Sequence, residues 1–526
     1  MRSTRPEPVI ADTSVFAALF DDLTDDDRAL PALVDGASGA VMTYGELVGR
    51  SEAFAGALAA MGVRPGDVVG LHCPNVPAFA IAFHGILRAG ATATTVNALY
   101  TAGEIEHQLR ASRAVAHVTV SPLAPQSIEA AHAVGIADDR IVVLDGMDGH
   151  ASLPELLAAG HAAPDVRIDP ATHVAVMPYS SGTTGKPKGV MLSHRNLVAN
   201  VAQCEPILGV ERGERVLAVL PFFHIYGMTV LLNLALRTRA TLVTMPRFDL
   251  AEFLRVIQDQ QVSFAFIAPP IAVALAKHPM VDDYDLSSLR TAFSGAAPLD
   301  EQLGQAVARR VGIEMLQGYG MTELSPVSHA FARGEGDARP LGCVGVVIGG
   351  TEDRIVDIES GEPIEPPEHD GLSEPGELWV RGPQVMLGYL DDAEATAHTL
   401  RDDGFLRTGD MAAYDAAGNV HIVDRLKELI KHKGYQVAPA ELEALLLTHP
   451  AVSDVAVIGV RTDDGDEDPM AFVVPAAAGE EDPDALMAWV AERVAPYKKV
   501  RRVAYVEAIP KSTSGKILRK DLKASL

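Results

Sequence analysis

The run Ser180-Ser181-Gly182-Thr183-Thr184-Gly185-Lys186-Pro187-Lys188-Gly189-Val190 decides how the rest of the chain is read. It follows Val174–Met177, an apolar segment that reads as a buried strand, and it precedes His194–Gln203, which has helical spacing. Its three glycines let the backbone turn and present amide N–H groups to an anion. Its four hydroxyls add donors, and its two lysines add positive charge. The spacing is not that of the Walker loop, because Pro187 stands where that pattern requires glycine. A short Gly/Thr loop alone is most often a mere turn. A strand, this density of donors and cations, and then a helix point to phosphate.

Working outward, the same alternation recurs. Thr43-Tyr44-Gly45-Glu46 has the spacing of a capping box, Leu47, Ser51, Phe54, Leu58 and Met61 follow at helical spacing, and Gly62 ends the run. Arg64–Asp67 reads as a turn, Val68–Leu71 as a strand, Ala78–Arg88 as a helix closed by Gly90, and the Thr/Ala/Val run to Val96 as another strand. This rhythm predicts an α/β fold: a large N-terminal domain of mostly parallel sheets flanked by helices. From Val216 to Leu236 there are 21 residues without Asp, Glu, Lys or Arg, long enough to span a bilayer. Pro221, His224, Tyr226, Gly227 and Asn233 interrupt that stretch. It reads as a buried strand, a turn and a buried helix, with no membrane span.

The end of the chain has a different pattern. A turn at Tyr414–Asn419 is followed by a helix at Ala440–Thr448, strands at Val452–Val460 and Met470–Val474, and a helix at Pro483–Val494. These predict a small α+β domain over 425–526, attached to a large domain over 1–424 through the charged segment Asp424-Arg425-Leu426-Lys427-Glu428. Basic residues crowd its end, among them Arg493, Lys498, Arg501, Lys511, Lys516 and Arg519. On charge alone this is either a seat for an anionic ligand or a solvated basic face.

Composition narrows the classes. Across 526 residues, Lys+Arg number 44 and Asp+Glu 70, a net charge of −26 that opposes nucleic-acid and anionic-membrane binding but leaves small anions open. With 48% hydrophobic and 22% charged residues, the chain has ordinary globular composition. Cys73, Cys204 and Cys343 are far apart with no CxxC, which indicates a reducing compartment and neither a disulfide framework nor a zinc site. The opening residues carry Pro and Glu where a signal peptide has its apolar core, so a cytoplasmic location is expected.

Further motifs stand in order along the chain: Phe222-Phe223-His224-Ile225-Tyr226-Gly227, Gly318-Tyr319-Gly320-Met321-Thr322-Glu323, and Gly376-Glu377-Leu378-Trp379-Val380-Arg381-Gly382. Thr408-Gly409-Asp410, Asp424 to Glu428, and Pro510-Lys511-Ser512-Thr513-Ser514-Gly515-Lys516 complete the set. Together with the glycine-rich run, they resemble the adenylate-forming superfamily of acyl- and aryl-CoA synthetases, peptide-synthetase adenylation domains and beetle luciferases. The resemblance implies an enzyme that joins a small carboxylic acid to coenzyme A, using ATP and Mg²⁺.

It also implies roles. Ser180, Ser181, Gly182, Thr183, Thr184, Gly185 and Lys188 would cradle phosphates, and Gln317, Gly318, Tyr319 and Gly320 would bind the nucleotide, with Tyr319 on the adenine face. Thr322 would donate to the α-phosphate, and Glu323 would hold Mg²⁺. Asp410 would accept from the ribose hydroxyls, Arg425 would reach ribose and phosphates, and Lys516 would be the catalytic cation between carboxylate and α-phosphorus. Lys427 would be the hinge about which the small, mobile domain turns for the second half-reaction. Lys431, Lys433, Gly434 and Gln436 would then approach the adenylate or coenzyme A, Lys431 as a catalytic group and Lys433 and Gly434 as coenzyme A contacts. His224 would gate the passage between thiol channel and acyl pocket; outside the family, a histidine in an apolar stretch is most often a core residue. Acetylation of Lys516 would remove its charge and silence the enzyme.

Within the superfamily the chain is most similar to 4-coumarate–CoA ligases, through Phe223–Tyr226, Ser294–Leu299 and Lys427–Pro439. The acid would then be a hydroxycinnamate, lined by His224, Tyr226, Ser294, Gly295, Ala296, Gly318, Pro326 and Val327. Tyr226 would hydrogen-bond a ring hydroxyl. The chain departs from that group at Lys186, Gly227, Leu324, Ser325 and Trp379, which leaves a medium-chain fatty acid or a benzoate as alternatives. A non-catalytic acyl-nucleotide sensor would be expected to lose Lys516, Glu323 or Asp410, and all three are present.

Overall fold

The computed structural model describes residues 1–180, 187–335, 340–432, 435–462, 466–477, 479, 481–512 and 515–526. The chain divides into two compact units. One comprises Met1–Leu341, Gly345–Glu352 and Val380–Leu406; the other comprises Gly342–Val344, Asp353–Trp379 and Arg407–Leu526.

The first unit is α/β with mostly parallel sheets, as the sequence rhythm predicts. Helix Tyr44–Ala60 starts at the expected cap: the Thr43 hydroxyl accepts the Glu46 N–H at 3.2 Å, and the Glu46 carboxylate accepts the Thr43 N–H at 2.9 Å. Such a cap contributes about 1 kcal/mol. Strand Val68–His72 runs parallel to Thr92–Thr95 on one side and to Ala114–Thr119 on the other, within an eight-stranded sheet. A nine-stranded sheet carries the parallel series Thr241–Thr244, Arg215–Ala218, Phe264–Ile267, Thr291–Ser294 and Glu314–Gly320. Helix Pro77–Arg88 buries every residue from Phe79 to Leu87.

The apolar stretch after Arg215 resolves as a strand ending at Ala218, a turn through Phe222–His224, and a buried helix that opens at Ile225, is a π-helix over Gly227–Asn233 and continues into Leu234–Arg237. No helix among the described residues is long and apolar enough to cross a membrane. Gly227 is required by sterics, since a Cβ there would lie 2.1 Å from the Pro221 carbonyl oxygen. That approach closes the loop that carries His224 and Tyr226.

The second unit holds a five-stranded sheet in the order Pro363–Ile364, Glu352–Val356, Gly376–Arg381, Leu406–Tyr414, Val420–Arg425. Its C-terminal part adds the hairpin Ile430–His432 with Tyr435–Val437, and the three-stranded sheet Val452–Arg461, Glu467–Pro475, Arg502–Tyr505. Helix Pro439–Leu447 and helix Pro483–Ala491 cover one face, burying Leu442, Leu446, Leu486 and Val490 against Val455 and Val457. Several of the crowded basic residues are paired inside this unit: Lys498 with Glu441 at 2.7 Å, Lys511 with Asp454 at 2.6 Å, Arg501 with Asp468 at 3.6 Å. Arg519 forks onto Glu443 at 2.6 and 2.8 Å and also reaches Glu428 at 2.8 Å. These side chains tie elements together, so local charge overstates what is left for a ligand. Lys516 is not among these pairs.

Candidate active site

The residues on either side of the glycine-rich run are paired strands. Tyr179–Ser180 pairs antiparallel with Lys188–Gly189, and strand Lys188–Ser193 continues beside Val174–Val176 before helix His194–Leu208 begins at Ser193. Sequence reading placed the helix soon after the loop and missed this strand, whose signal is the apolar run Val190–Leu192. Ser181, Gly182, Thr183, Thr184 and Gly185 lie outside the described residues, as do Lys433 and Gly434. Ser180 and Lys188 are register partners across the two strands.

Lys188 places its amine 3.2 Å from Asp392 and 5.0 Å over the Tyr389 ring. The Tyr389 hydroxyl in turn donates to Glu323 Oε1 at 2.9 Å. Burial, with the Glu323 charge added, pushes the Tyr389 phenol well up, so it remains a donor. Glu323 is 6% exposed and sits on the short turn Thr322–Leu324. Among the described residues no cluster of three His, Cys, Asp or Glu side chains is arranged to hold a metal. One buried, oriented carboxylate is instead the donor that Mg²⁺ uses when phosphates and water supply its other oxygens. Tyr389 was missed by sequence reading; only its place in Gly388-Tyr389-Leu390 could have suggested it.

Gln317, Gly318, Tyr319 and Gly320, expected to bind the nucleotide, lie on strand Glu314–Gly320. Tyr319 stands opposite His329 on the neighbouring strand, the rings edge to face at 5.9 Å, and is partly exposed. Gln317 is buried, its amide accepting from Leu299 N–H at 2.7 Å and donating to the Leu341 carbonyl at 2.8 Å. Its amide is thus committed to bracing the backbone.

Of the residues expected to line the acyl pocket, Tyr226 belongs to an aromatic cluster with Phe266 and Phe293. Tyr226 is buried, donates to the Phe293 carbonyl at 3.2 Å, and stands edge-on to Phe266 at 6.1 Å between ring centroids. Gly295 passes so close that a Cβ would lie 2.8 Å from Tyr226 Cε1 and Cζ. Ser294 is fully buried at a strand end, and Ala296 takes a left-handed turn, φ 71°. Pro326 follows Ser325 through a cis bond, and Val327 is held on both sides by Asn200, whose amide accepts its N–H at 3.1 Å and donates to its carbonyl at 2.8 Å. His224 is partly exposed, with its Nδ1 accepting the Tyr226 N–H at 3.3 Å. Buried Asn75, which sequence reading passed over, pins this loop: it donates to the Ala218 and Leu220 carbonyls at 3.0 and 2.7 Å and accepts Phe222 N–H at 2.7 Å.

The second unit gathers the remaining polar motifs. Asp410 and Arg425 are cross-strand partners, with Nε 3.6 Å from Oδ1, and Arg425 also lies 3.6 Å from Glu428. Lys516 is partly buried within reach of the charges of Arg425, Asp410, Glu428 and Lys427. Burial first, and then Arg425, bring its ammonium down to about 8. Lys427 itself is exposed. Lys431 is exposed, and its backbone N–H donates to Glu467 at 3.0 Å.

Buried Glu323 and the aromatic cluster around Tyr226 in one unit, and Asp410, Arg425 and Lys516 in the other, belong to the residue set expected of an adenylate-forming enzyme. The chain belongs to the AMP-binding enzyme family, which matches residues 23–390, with the AMP-binding enzyme C-terminal domain matching 441–516. It is an AMP-forming acid–CoA ligase, with ATP, Mg²⁺ and coenzyme A as the small molecules it uses. The chain is 42% identical over 507 residues to 4-coumarate–CoA ligase 1 of Solanum tuberosum, covering 94% of this chain and 91% of that one. Among solved structures, ATP-bound MatB from Rhodopseudomonas palustris superposes with a TM-score of 0.88 at 29% identity, over 98% of this chain and 99% of that one. A benzoate CoA ligase from Burkholderia xenovorans gives 0.85 at 26% identity, over 97% and 99%.

Proposed function

We propose that this ligase activates a hydroxycinnamate of the 4-coumarate type. The observation that carries the reading is the wall in which Tyr226 packs on Gly295 between Phe266 and Phe293. Such a wall favours a flat ring over a flexible chain. The Tyr226 proton is committed to the Phe293 carbonyl, so its oxygen would accept from a substrate phenol. The plant relative's name and its identity over most of both chains support the same acid.

In the first half-reaction a carboxylate oxygen attacks the α-phosphorus of ATP, the bond to the bridging oxygen breaks, and pyrophosphate leaves. Lys516 supplies positive charge where two anions meet, Thr322 donates to the α-phosphate, and Asp410 accepts from the ribose hydroxyls. Mg²⁺, when bound through Glu323, would neutralise phosphate charge. In the second half-reaction the coenzyme A sulfur attacks the acyl carbon and AMP leaves. Residues 425–526 would turn as a lid about Lys427, and His224 would gate the thiol's path. The scarcity of cysteine, three buried residues at 73, 204 and 343, supports a cytoplasmic setting. Acetylation of Lys516 would stop adenylation by removing its charge, which acetylation of the purified protein, site mapping and an exchange assay would check.

ATP–pyrophosphate exchange over 4-coumarate, cinnamate, benzoate and saturated fatty acids, followed by thioester formation with coenzyme A, tests the reading. Exchange led by hydroxycinnamates is the expected result. A lead by benzoate or fatty acids would overturn the acid and keep the chemistry. No exchange with any acid would favour a sensor.

A further inference from the structure

We propose that Glu377, with Trp379, is the positioning residue that sets Asp410 for the nucleotide's ribose; the proposal rests on the reading of Asp410 as the ribose acceptor. Both residues belong to the motif Gly376–Gly382, to which none of the chemistry above assigns a role. Glu377 lies on strand Gly376–Arg381, beside the strand Leu406–Tyr414 that carries Asp410. It is 4% exposed. A carboxylate buried this deeply is costly to hold unless its lone pairs are matched.

They are matched by four donors. Oε2 accepts Trp379 Nε1–H at 2.8 Å and Arg407 Nε and Nη2 at 3.0 and 2.8 Å. Oε1 accepts the backbone N–H of Gly409 at 3.3 Å. The Arg407 guanidinium also lies 5.7 Å from the Trp379 ring centre, so the two donors brace each other. The backbone bond matters most, because Gly409 turns left-handed, φ 72°, immediately before Asp410. A left-handed residue inside a strand leaves the regular ladder, and its N–H then needs another acceptor. Glu377 supplies it.

The kink is fixed on its other sides too. The Thr408 hydroxyl donates to the Leu378 carbonyl at 2.6 Å and accepts the Asp410 N–H at 3.1 Å, while the Gly409 carbonyl accepts Leu426 N–H at 2.9 Å. Asp410 therefore leaves a backbone whose direction Glu377 and Thr408 determine. A carboxylate that must meet two vicinal hydroxyls tolerates little angular error, and that geometry is what the clamp holds. The Trp379 indole N–H lets Glu377 keep a fourth donor.

Titration calorimetry of the full-length protein, with Mg²⁺, against ATP and 2′-deoxy-ATP tests this without any acid present. The unmodified protein should prefer ATP, because a site built around a hydroxyl rejects the analogue lacking it. Glu377→Gln, which cannot accept from all four donors, should lower that preference about tenfold. Asp410→Asn should lower it at least as far. Trp379→Phe, which keeps a ring but loses the N–H, should lower it about threefold and guards against a Glu377→Gln protein that does not fold. A merely structural role would lower melting temperature and leave the preference intact. An unchanged preference in Glu377→Gln and Trp379→Phe beside a lost one in Asp410→Asn would overturn the positioning role alone. An unchanged preference in all three would overturn the ribose reading, and the proposal with it.

Discussion

Around Tyr226, position is set by shape. Its ring is trapped by Gly295, Phe266 and Phe293, its loop is closed by the contact of Gly227 with Pro221, and Asn75 pins the backbone through three hydrogen bonds. Around Asp410 and Lys516, position is set by charge: Glu377 holds Arg407, Arg425 lies beside Asp410, and Arg519 anchors the segment after Lys516 to Glu443 and Glu428. The two regions should fail differently. A wall of packed rings responds to a methyl group and is indifferent to pH, whereas a charge cluster responds to pH and to neutral substitutes. Which acid is chosen and how fast it is adenylated are thus separable properties.

The largest expected effect lies on the charged side. Lys516→Ala should slow adenylation by about 10²–10³-fold, yet still convert preformed acyl-AMP and coenzyme A to thioester, because the second step does not bring two anions together. Rapid-quench assays of each half-reaction check this, and equal loss in both would remove the distinction. Next comes the shaped side. Gly295→Ala pushes a methyl to within 2.8 Å of the Tyr226 ring and should raise KM for the preferred acid about tenfold, leaving KM for ATP unchanged. Steady-state kinetics with each substrate varied in turn would show it. The smallest effect is expected from Tyr226→Phe, which removes the hydroxyl and leaves the Phe293 carbonyl short of a donor. The preference for 4-coumarate over cinnamate should fall about threefold, read from competing substrates in one reaction.

Much of this was legible in the sequence. Thr43 and Glu46 announced their helix, because a cap is a local arrangement of side chain and backbone. The alternation from Val68 to Val96 announced parallel strands for the same reason, since period and length are local. The short strand after the glycine-rich loop was not legible, because a buried apolar run before a helix has no period of its own. Nor was the pairing of the basic C-terminal residues, since Lys511 with Asp454 and Lys498 with Glu441 are both 57 positions apart. Asn75, Tyr389 and Glu377 were hidden similarly: each acts through a partner distant in sequence, and an asparagine, a tyrosine or a glutamate alone says nothing about which.

The separation of the two regions is tested most directly by measuring ATP–pyrophosphate exchange for 4-coumarate, cinnamate and benzoate at neutral pH and again about one unit above the Lys516 value of about 8. The ammonium is charged below that value and neutral above it, so adenylation should fall as pH rises through it, by about tenfold for each further unit. The expected result is a common fall for all three acids with their order and ratios unchanged. A ranking that changes with pH, or a rate that holds steady beyond the Lys516 transition, would contradict it.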